Sequence, residues 1–247
     1  MNKIPKIIHY CWFGGSTKPD YVIKCIESWK EILPEYEIIE WNEDNFDIGY
    51  CVFSREAYEM KKYAFVSDIT RLYALFHYGG IYLDTDVEVI KSFNDILENR
   101  SCILGYEIGD KIATSFIAAE KNNEMIGKFL KIYNEKKFIS ENNEQNIIPN
   151  VNYLTNLLLD RGLKLNGQYQ ELSNGIVVYP STYFSPFDYI NCVDDSNEQT
   201  YCIHHFAVSW LNKSALMKRK IKRIIVKFIG RNNLIKLRKI KNRIVKK

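Results

Sequence analysis

The sequence predicts an α/β protein, and three observations predict it. Residues 4–41 read as strand, helix, strand, a unit that implies parallel strands joined by a right-handed crossover. Residues 65–83 read as a helix with an apolar face, a glycine pair and a short buried strand, Ile81-Tyr82-Leu83. Beyond them, short apolar runs and helical stretches continue to Trp210, with no internal repeat. The 247 residues are 46% hydrophobic and 14% aromatic, which suits a folded domain and excludes a disordered chain.

The first strand runs from Ile4 to Trp12 and is closed by Gly14-Gly15. Asp20 caps a helix through Trp29, with Val22, Ile26 and Trp29 near one face. Pro34 ends that unit, and Tyr36 to Trp41 forms the second strand. Nucleotides often sit where such a strand meets glycines, although Gly14-Gly15 lacks the G-x-G-x-x-G spacing. Ser54 starts a short helix, and a longer one spans Phe65 to Tyr78. Its wheel places Phe65, Asp68, Leu72, Leu75 and Phe76 on one face, with Arg71 at the edge. Thr70, Tyr73, Ala74 and His77 lie opposite, and His77 is expected at the surface.

Further strands are expected at Val87–Ile90, Ser101–Tyr106, Ala113–Ala119 and Ile176–Pro180, and helices at Met125–Tyr133 and Asn152–Arg161, the last ended by Gly162. Glu135 to Asn150 is polar and rich in asparagine, as a mobile loop or lid would be. Phe184–Asp188 reads as an aromatic turn, Asp194–Gln199 as a polar loop, and Ile203–Trp210 as the stretch that closes the body.

Asp84-Thr85-Asp86 stands where the strand Ile81–Leu83 ends. Two carboxylates one residue apart concentrate negative charge, and hard cations such as Mg²⁺ or Mn²⁺ take oxygen ligands. An ion held there bridges a diphosphate; an acidic turn is the plainer reading of the same spelling. The preceding helix bears on the choice. Asp68 points with the apolar stripe, where a charge is costly unless paired or liganded. Either Asp68 and Arg71 form an internal i,i+3 ion pair, or both face a polar ligand at the top of the sheet.

The whole string Ser67-Asp68-x-x-Arg71-Leu72-x-x-Leu75-x-x-x-Gly79-Gly80-Ile81-Tyr82-Leu83-Asp84-x-Asp86 is more specific than its last three residues. It resembles the sugar-nucleotide-binding core of the D-x-D glycosyltransferases of family 32, which include yeast mannosyltransferases and bacterial capsule and surface-polysaccharide transferases. It is also similar to the catalytic domain of the large clostridial glucosylating toxins. The opening Ile4-Pro5-Lys6-Ile7-Ile8-His9-Tyr10-x-Trp12-Phe13-Gly14 resembles that family's first strand.

The resemblance implies a GT-A fold, a Rossmann-like mixed sheet flanked by helices, over residues 1–211. It implies a metal-dependent, retaining hexosyltransferase that uses a nucleotide-sugar donor, a UDP-sugar favoured, and a lipid-linked or growing saccharide acceptor in capsule or surface-polysaccharide synthesis. Trp12 would stack on the nucleobase, unless it is a core residue beside Phe13. Asp68 and Arg71 would bind donor sugar and phosphate, and Tyr82 and Asp84 the ribose and sugar hydroxyls. Asp86 would ligate Mn²⁺ or Mg²⁺, with His205 as second ligand by its spacing from Trp210. The adjacent His204 stays open for that role, since strand neighbours face opposite ways. Trp210 would cover the diphosphate. No catalytic base or nucleophile is legible.

Charge divides the chain in two. Residues 212–247 hold 15 of the 34 Lys and Arg and no acidic residue, so the first 211 carry 19 basic against 30 acidic side chains, a net of −11. In the tail Met217, Ile221, Ile224, Ile225 and Phe228 fall on one helical face among basic residues, although Val226 breaks the pattern. A basic amphipathic helix over 213–247 predicts contact with an anionic membrane surface; a solvated tail, or a helix packed on the acidic body, is the alternative. Nucleic acid is not expected as a partner, because the aromatics are not interleaved with the basic run.

The six scattered cysteines form no C-x-x-C pair and fit a reducing cytosol. With no signal-like h-region and no apolar run near ~18 residues, the expected location is cytoplasmic, peripheral at the inner face of the membrane. Two rival functions share the D-x-D: a haloacid-dehalogenase-like phosphatase using Asp84 and Asp86, and a non-catalytic sugar-nucleotide-binding module. The phosphatase motif has Thr or Val where this chain has Glu88.

Overall fold

The computed structural model describes residues 3–107, 111–142, 144–189 and 193–206; the expected 207–210 segment with Trp210, and the 212–247 tail, lie outside them. In chain order the elements are β1 (Ile7–Cys11), α1 (Asp20–Ile32), β2 (Glu37–Trp41), α2 (Val52–Glu59), α3 (Tyr63–Tyr78), β3 (Gly80–Leu83), β4 (Val87–Val89), β5 (Cys102–Glu107), β6 (Lys111–Ile112), β7 (Phe116–Ala119) and α4 (Glu124–Asn134). There follow α5 (Asn150–Leu159), β8 (Gln170–Glu171), β9 (Ile176–Tyr179), α6 (Ser181–Phe184), β10 (Phe187–Asp188), β11 (Val193–Asp194) and β12 (Cys202–His204).

The main sheet runs β2-β1-β3-β7-β5-β9-β8, with β6 paired to β5. β1 lies parallel to β2 and β3, so the strand–helix–strand reading of the first 41 residues is borne out. β7 runs antiparallel to both β3 and β5, which leaves β3 and β5 pointing the same way. The carboxyl ends of β1, β2, β3 and β5 therefore share one edge, the edge where ligands sit in open α/β sheets.

Side chains alternate across this sheet as a period of two requires. Cys11, Trp41, Tyr82 and Ile117 join the core under α2, α3, α4 and α5, while Ile8, Tyr10, Ile81, Leu83 and Phe116 join the core under α1 and α6. Helix α3 is buried more widely than its wheel predicted: Thr70 and Ala74 are fully buried, since α3 packs against α2 and α4 as well as against β1, β3 and β7. His77 is half-buried, its ring 4.4 Å from that of Tyr73.

The glycine pair between α3 and β3 is a steric requirement. Gly79 and Gly80 have φ of 69° and 106°, and a Cβ on Gly80 would meet the Ile7 carbonyl oxygen at 2.6 Å. Only glycine lets β3 leave α3 directly against β1. The D-x-D follows four residues later, at the strand's carboxyl end.

Candidate active site

Arg71 is the centre of one half of the site. Its Nη2 lies 3.3 Å from Asp68 Oδ1 and 3.1 Å from Asp84 Oδ1, and its Nη1 donates to the Thr114 carbonyl at 2.6 Å. The guanidinium also lies 4.4 Å from the centre of the Tyr82 ring, whose hydroxyl donates to Asp84 Oδ1 at 3.0 Å. Asp68 further accepts from Asn150 Nδ2, and Asn150 Oδ1 accepts from Thr114 Oγ1 at 2.9 Å. The i,i+3 ion pair therefore exists, and it is shared with the first aspartate of the D-x-D. Burial drives the Asp68 pKa up to about 7; Arg71 pulls against that rise and Asp84 adds to it.

Asp86 belongs to the other half. After β3 the Asp84 amide donates to the Ser115 carbonyl at 2.9 Å, and the Asp84 carbonyl accepts from the Val87 amide at 3.0 Å. This turn holds both aspartates at the carboxyl edge. β12, paired antiparallel to β4, brings His204 Nε2 to 3.3 Å from Asp86 Oδ1. A carboxylate oxygen from Asp84 and from Asp86, together with a ring nitrogen of His204, all lie within 4.8 Å of one another.

Two oxygens and an imidazole nitrogen suit a divalent ion of the Mn²⁺ type. It is the Nε2 of His204 that faces Asp86, while its buried Nδ1 has no protein partner among the described residues. The residues present thus fit a metal. Burial pushes the His204 pKa down, yet Asp86, Asp84 and Glu107 outweigh it and leave the value raised.

His205 turns the other way. Its Nε2 donates to Glu88 Oε2 at 2.8 Å, and its backbone amide donates to the Asp86 carbonyl at 3.0 Å. The structure thus gathers His204, rather than His205, with the aspartates.

Three further groups at this edge were not singled out from the sequence. Thr114 and Asn150 tie Asp68 and Arg71 to the β6–β7 connection and to α5. Glu107 ends β5 beside Asp84, and its pKa is raised by burial, lowered by His204 and raised again by Asp84. A carboxylate at the end of a strand parallel to β3 is a signal a topology would expose. Thr114 and Asn150 carry none in a single sequence.

Past the ends of β1 and β2 lies a cleft of about 590 Å³ lined by Trp12, Gly14, Gly15, Lys18, Asn42 and Tyr63, among others. Trp12 is half-buried while Phe13 is in the core, so the Trp12 ring lines the cleft as well as packing inward. Its Nε1 donates to the Ser16 carbonyl at 2.7 Å. Lys18 lies 5.7 Å from the ring centre and pairs with Glu40 at 2.7 Å.

Residues 19–102 match the family described as "Glycosyltransferase sugar-binding region containing DXD motif". Among curated proteins, inositol phosphoceramide mannosyltransferase 1 of Schizosaccharomyces pombe is 27% identical over 115 residues, which is 42% of this chain and 34% of that one. Inositol phosphoceramide mannosyltransferase 2 of the same yeast is 30% identical over 91 residues, 34% of this chain and 25% of that one. The matches thus span about a third or less of those relatives' length. Among solved structures, a chain described as PaToxG Glycosyltransferase superposes with a TM-score of 0.50 at 20% identity, over 64% of this chain and 69% of the other. That likeness shows the fold, which is GT-A.

Proposed function

Because residues 19–102 match the family of glycosyltransferase sugar-binding regions containing a DXD motif, we propose that this chain is a glycosyltransferase. It moves a hexose from a nucleotide-diphosphate sugar, a UDP-sugar favoured, with retention of configuration, to a lipid-linked or growing saccharide in capsule or surface-polysaccharide synthesis. The observation that carries this reading is the meeting of Asp84, Asp86 and His204 beside Arg71 at the carboxyl edge of the sheet.

Trp12 stacks on the nucleobase in the cleft beyond β1 and β2. Asp68 and Asp84 accept hydrogen bonds from donor hydroxyls, and Tyr82 fixes the orientation of Asp84. Arg71 already donates to Thr114 and shares Nη2 between the two carboxylates. It therefore acts chiefly by neutralising and aiming Asp68 and Asp84, and through its positive charge near the leaving diphosphate. Asp86 and His204, with Asp84 beside them, would hold a divalent ion, which when bound would supply Lewis-acid stabilisation of the leaving nucleoside diphosphate. Trp210 is proposed to cover the diphosphate.

Exposed apolar side chains near the site support an acceptor with an apolar part. Ile147 and Ile148 are 61% and 47% exposed just before Asn150. On the first turn of α1, Tyr21 and Ile23 are also exposed; burial and then the nearby Asp86 push the Tyr21 pKa up. No helix among the described residues is long and apolar enough to cross a membrane. The basic 213–247 tail is proposed to hold the enzyme to an anionic surface at the cytoplasmic face, at about 1 kcal/mol per basic residue near the lipid.

Asp86→Ala should abolish Mn²⁺-dependent binding of UDP-sugars in calorimetry; unchanged binding would remove the metal assignment. Deletion of residues 213–247 should release the protein from anionic vesicles while donor hydrolysis persists. Co-sedimentation that survives the deletion would refute the anchor.

A further inference from the structure

The metal cluster is assembled from two segments more than a hundred residues apart, and the two segments are unequally secured. The segment after the D-x-D is fixed along β4 by α1: Trp29 Nε1 donates to the Val87 carbonyl at 2.7 Å, and the Val89 amide donates to Ser28 Oγ at 3.0 Å. The first half of the β12 segment is equally well tied. The Tyr201 carbonyl accepts from the amides of Ile90 and Lys91 at 2.9 and 3.1 Å, and the Tyr201 amide donates to the Tyr183 carbonyl at 2.8 Å. Its second half carries His204 and has a different set of restraints.

β12 belongs to a two-stranded ladder separate from the main sheet, three register pairs long, ending at His204 opposite Val87. Past that last pair, the backbone of Phe206 turns with φ 48°, a left-handed conformation rare for a non-glycine residue. Between the ladder's end and this turn sits His205. Its amide bond to the Asp86 carbonyl extends the ladder by one step, and its ring reaches Glu88 across the strands at 2.8 Å. Glu88 is the residue that follows Val87, and the β4–β12 register pairs it with Ile203. One side-chain bond therefore spans the two strands beside the residues that carry the ligands.

We infer that Glu88 and His205 form a clasp that fixes the spacing of His204 from Asp86, and so act as positioning residues for the metal. The adjacent histidines then have separate tasks: His204 faces the ion, and His205 locks the strand that presents it. Side chains behind a metal's ligands commonly change affinity by ~10–100-fold when removed. Here the clasp is about 40% exposed on both sides, so water competes for the bond and the effect should fall at or below the lower limit of that range.

This inference rests on the metal reading above, and the test separates the two. Mn²⁺ affinity of the full chain is measured by electron paramagnetic resonance of free Mn²⁺, for wild type, Glu88→Ala, His205→Ala, the double variant and His204→Ala. The clasp predicts that Glu88→Ala and His205→Ala each weaken Mn²⁺ binding by about 3–10-fold, that the double variant is no worse than either single one, and that His204→Ala is worse than all. Unchanged affinity in Glu88→Ala overturns it. So does a His205→Ala loss that equals His204→Ala while Glu88→Ala is silent, which would make His205 a ligand. A second readout needs no metal: amide hydrogen exchange in the peptide spanning 202–206 should quicken in both single variants. If wild type takes up no Mn²⁺, the metal reading fails, and the exchange result alone decides the clasp: unaltered exchange overturns it.

Discussion

The two halves of the site are built in opposite ways. Asp68, Arg71, Tyr82 and Asp84 come from one continuous stretch, α3 through β3. They are packed under α4 and α5, and bonded to one another before any ligand arrives. Asp86 and His204 come from the turn before β4 and from β12, meet at 3.3 Å, and leave His204 Nδ1 without a partner among the described residues. The first half is pre-organised: its two carboxylates already share one guanidinium, so a donor would meet groups that need little rearrangement. The second half concentrates negative charge around one histidine, an arrangement that a cation would complete. A site divided in this way can keep its fold without metal and still depend on metal for donor binding.

The sharpest way to break this contrast is Arg71→Ala. Asp68 and Asp84 would then share a buried space with no cation between them, and removal of one partner from a buried ion pair costs roughly 3–5 kcal/mol. Urea denaturation at pH 8 should register that loss, whereas Asp86→Ala, which relieves like-charge crowding, should leave stability within about 1 kcal/mol of wild type. Equal losses in both variants would mean that the halves do not differ in this way.

The first half was also the legible half. A charge on an apolar stripe, a glycine pair and a strand ending in D-x-D are local signals, and local periodicity carried α3 and β3 and left Asp68 and Arg71 as either an ion pair or two groups facing a ligand. Burial of Thr70 and Ala74 was not legible, because it depends on α2 and α4 lying against α3 and not on the helix's own pattern. The second half depends on a long-range antiparallel pairing. Sequence narrowed the candidate ligand to two neighbours in a strand, but the nearness of His204 to Asp86 depends on the register of β12 on β4. Glu107 and Asn150 approach the site only through the order of strands and the packing of α5. Neither property is written in the neighbouring residues.

His9 offers a finer test, because it lies beneath the first half and not the second. It is fully buried, with Nδ1 accepting from Trp41 Nε1 at 3.2 Å, so Nε2 carries the proton and donates to the Gly79 carbonyl at 2.8 Å. That bond pins the glycine pair through which α3 passes into β3. Burial lowers the His9 pKa to about 4, against a partial rise from the Gly79 bond. A base with a depressed folded pKa takes its proton more readily when unfolded. Its contribution to stability is therefore complete above pH ~6.5 and lost as pH falls toward 4. The shift corresponds to on the order of 3 kcal/mol. His9→Gln should be less stable than wild type at pH 7 but should lose less between pH 6.5 and 4.5, and urea midpoints at the two pH values measure the difference. Equal pH slopes for the two proteins would show that the imidazole titrates freely, and that the passage from α3 to β3 is held by the glycines' conformation alone.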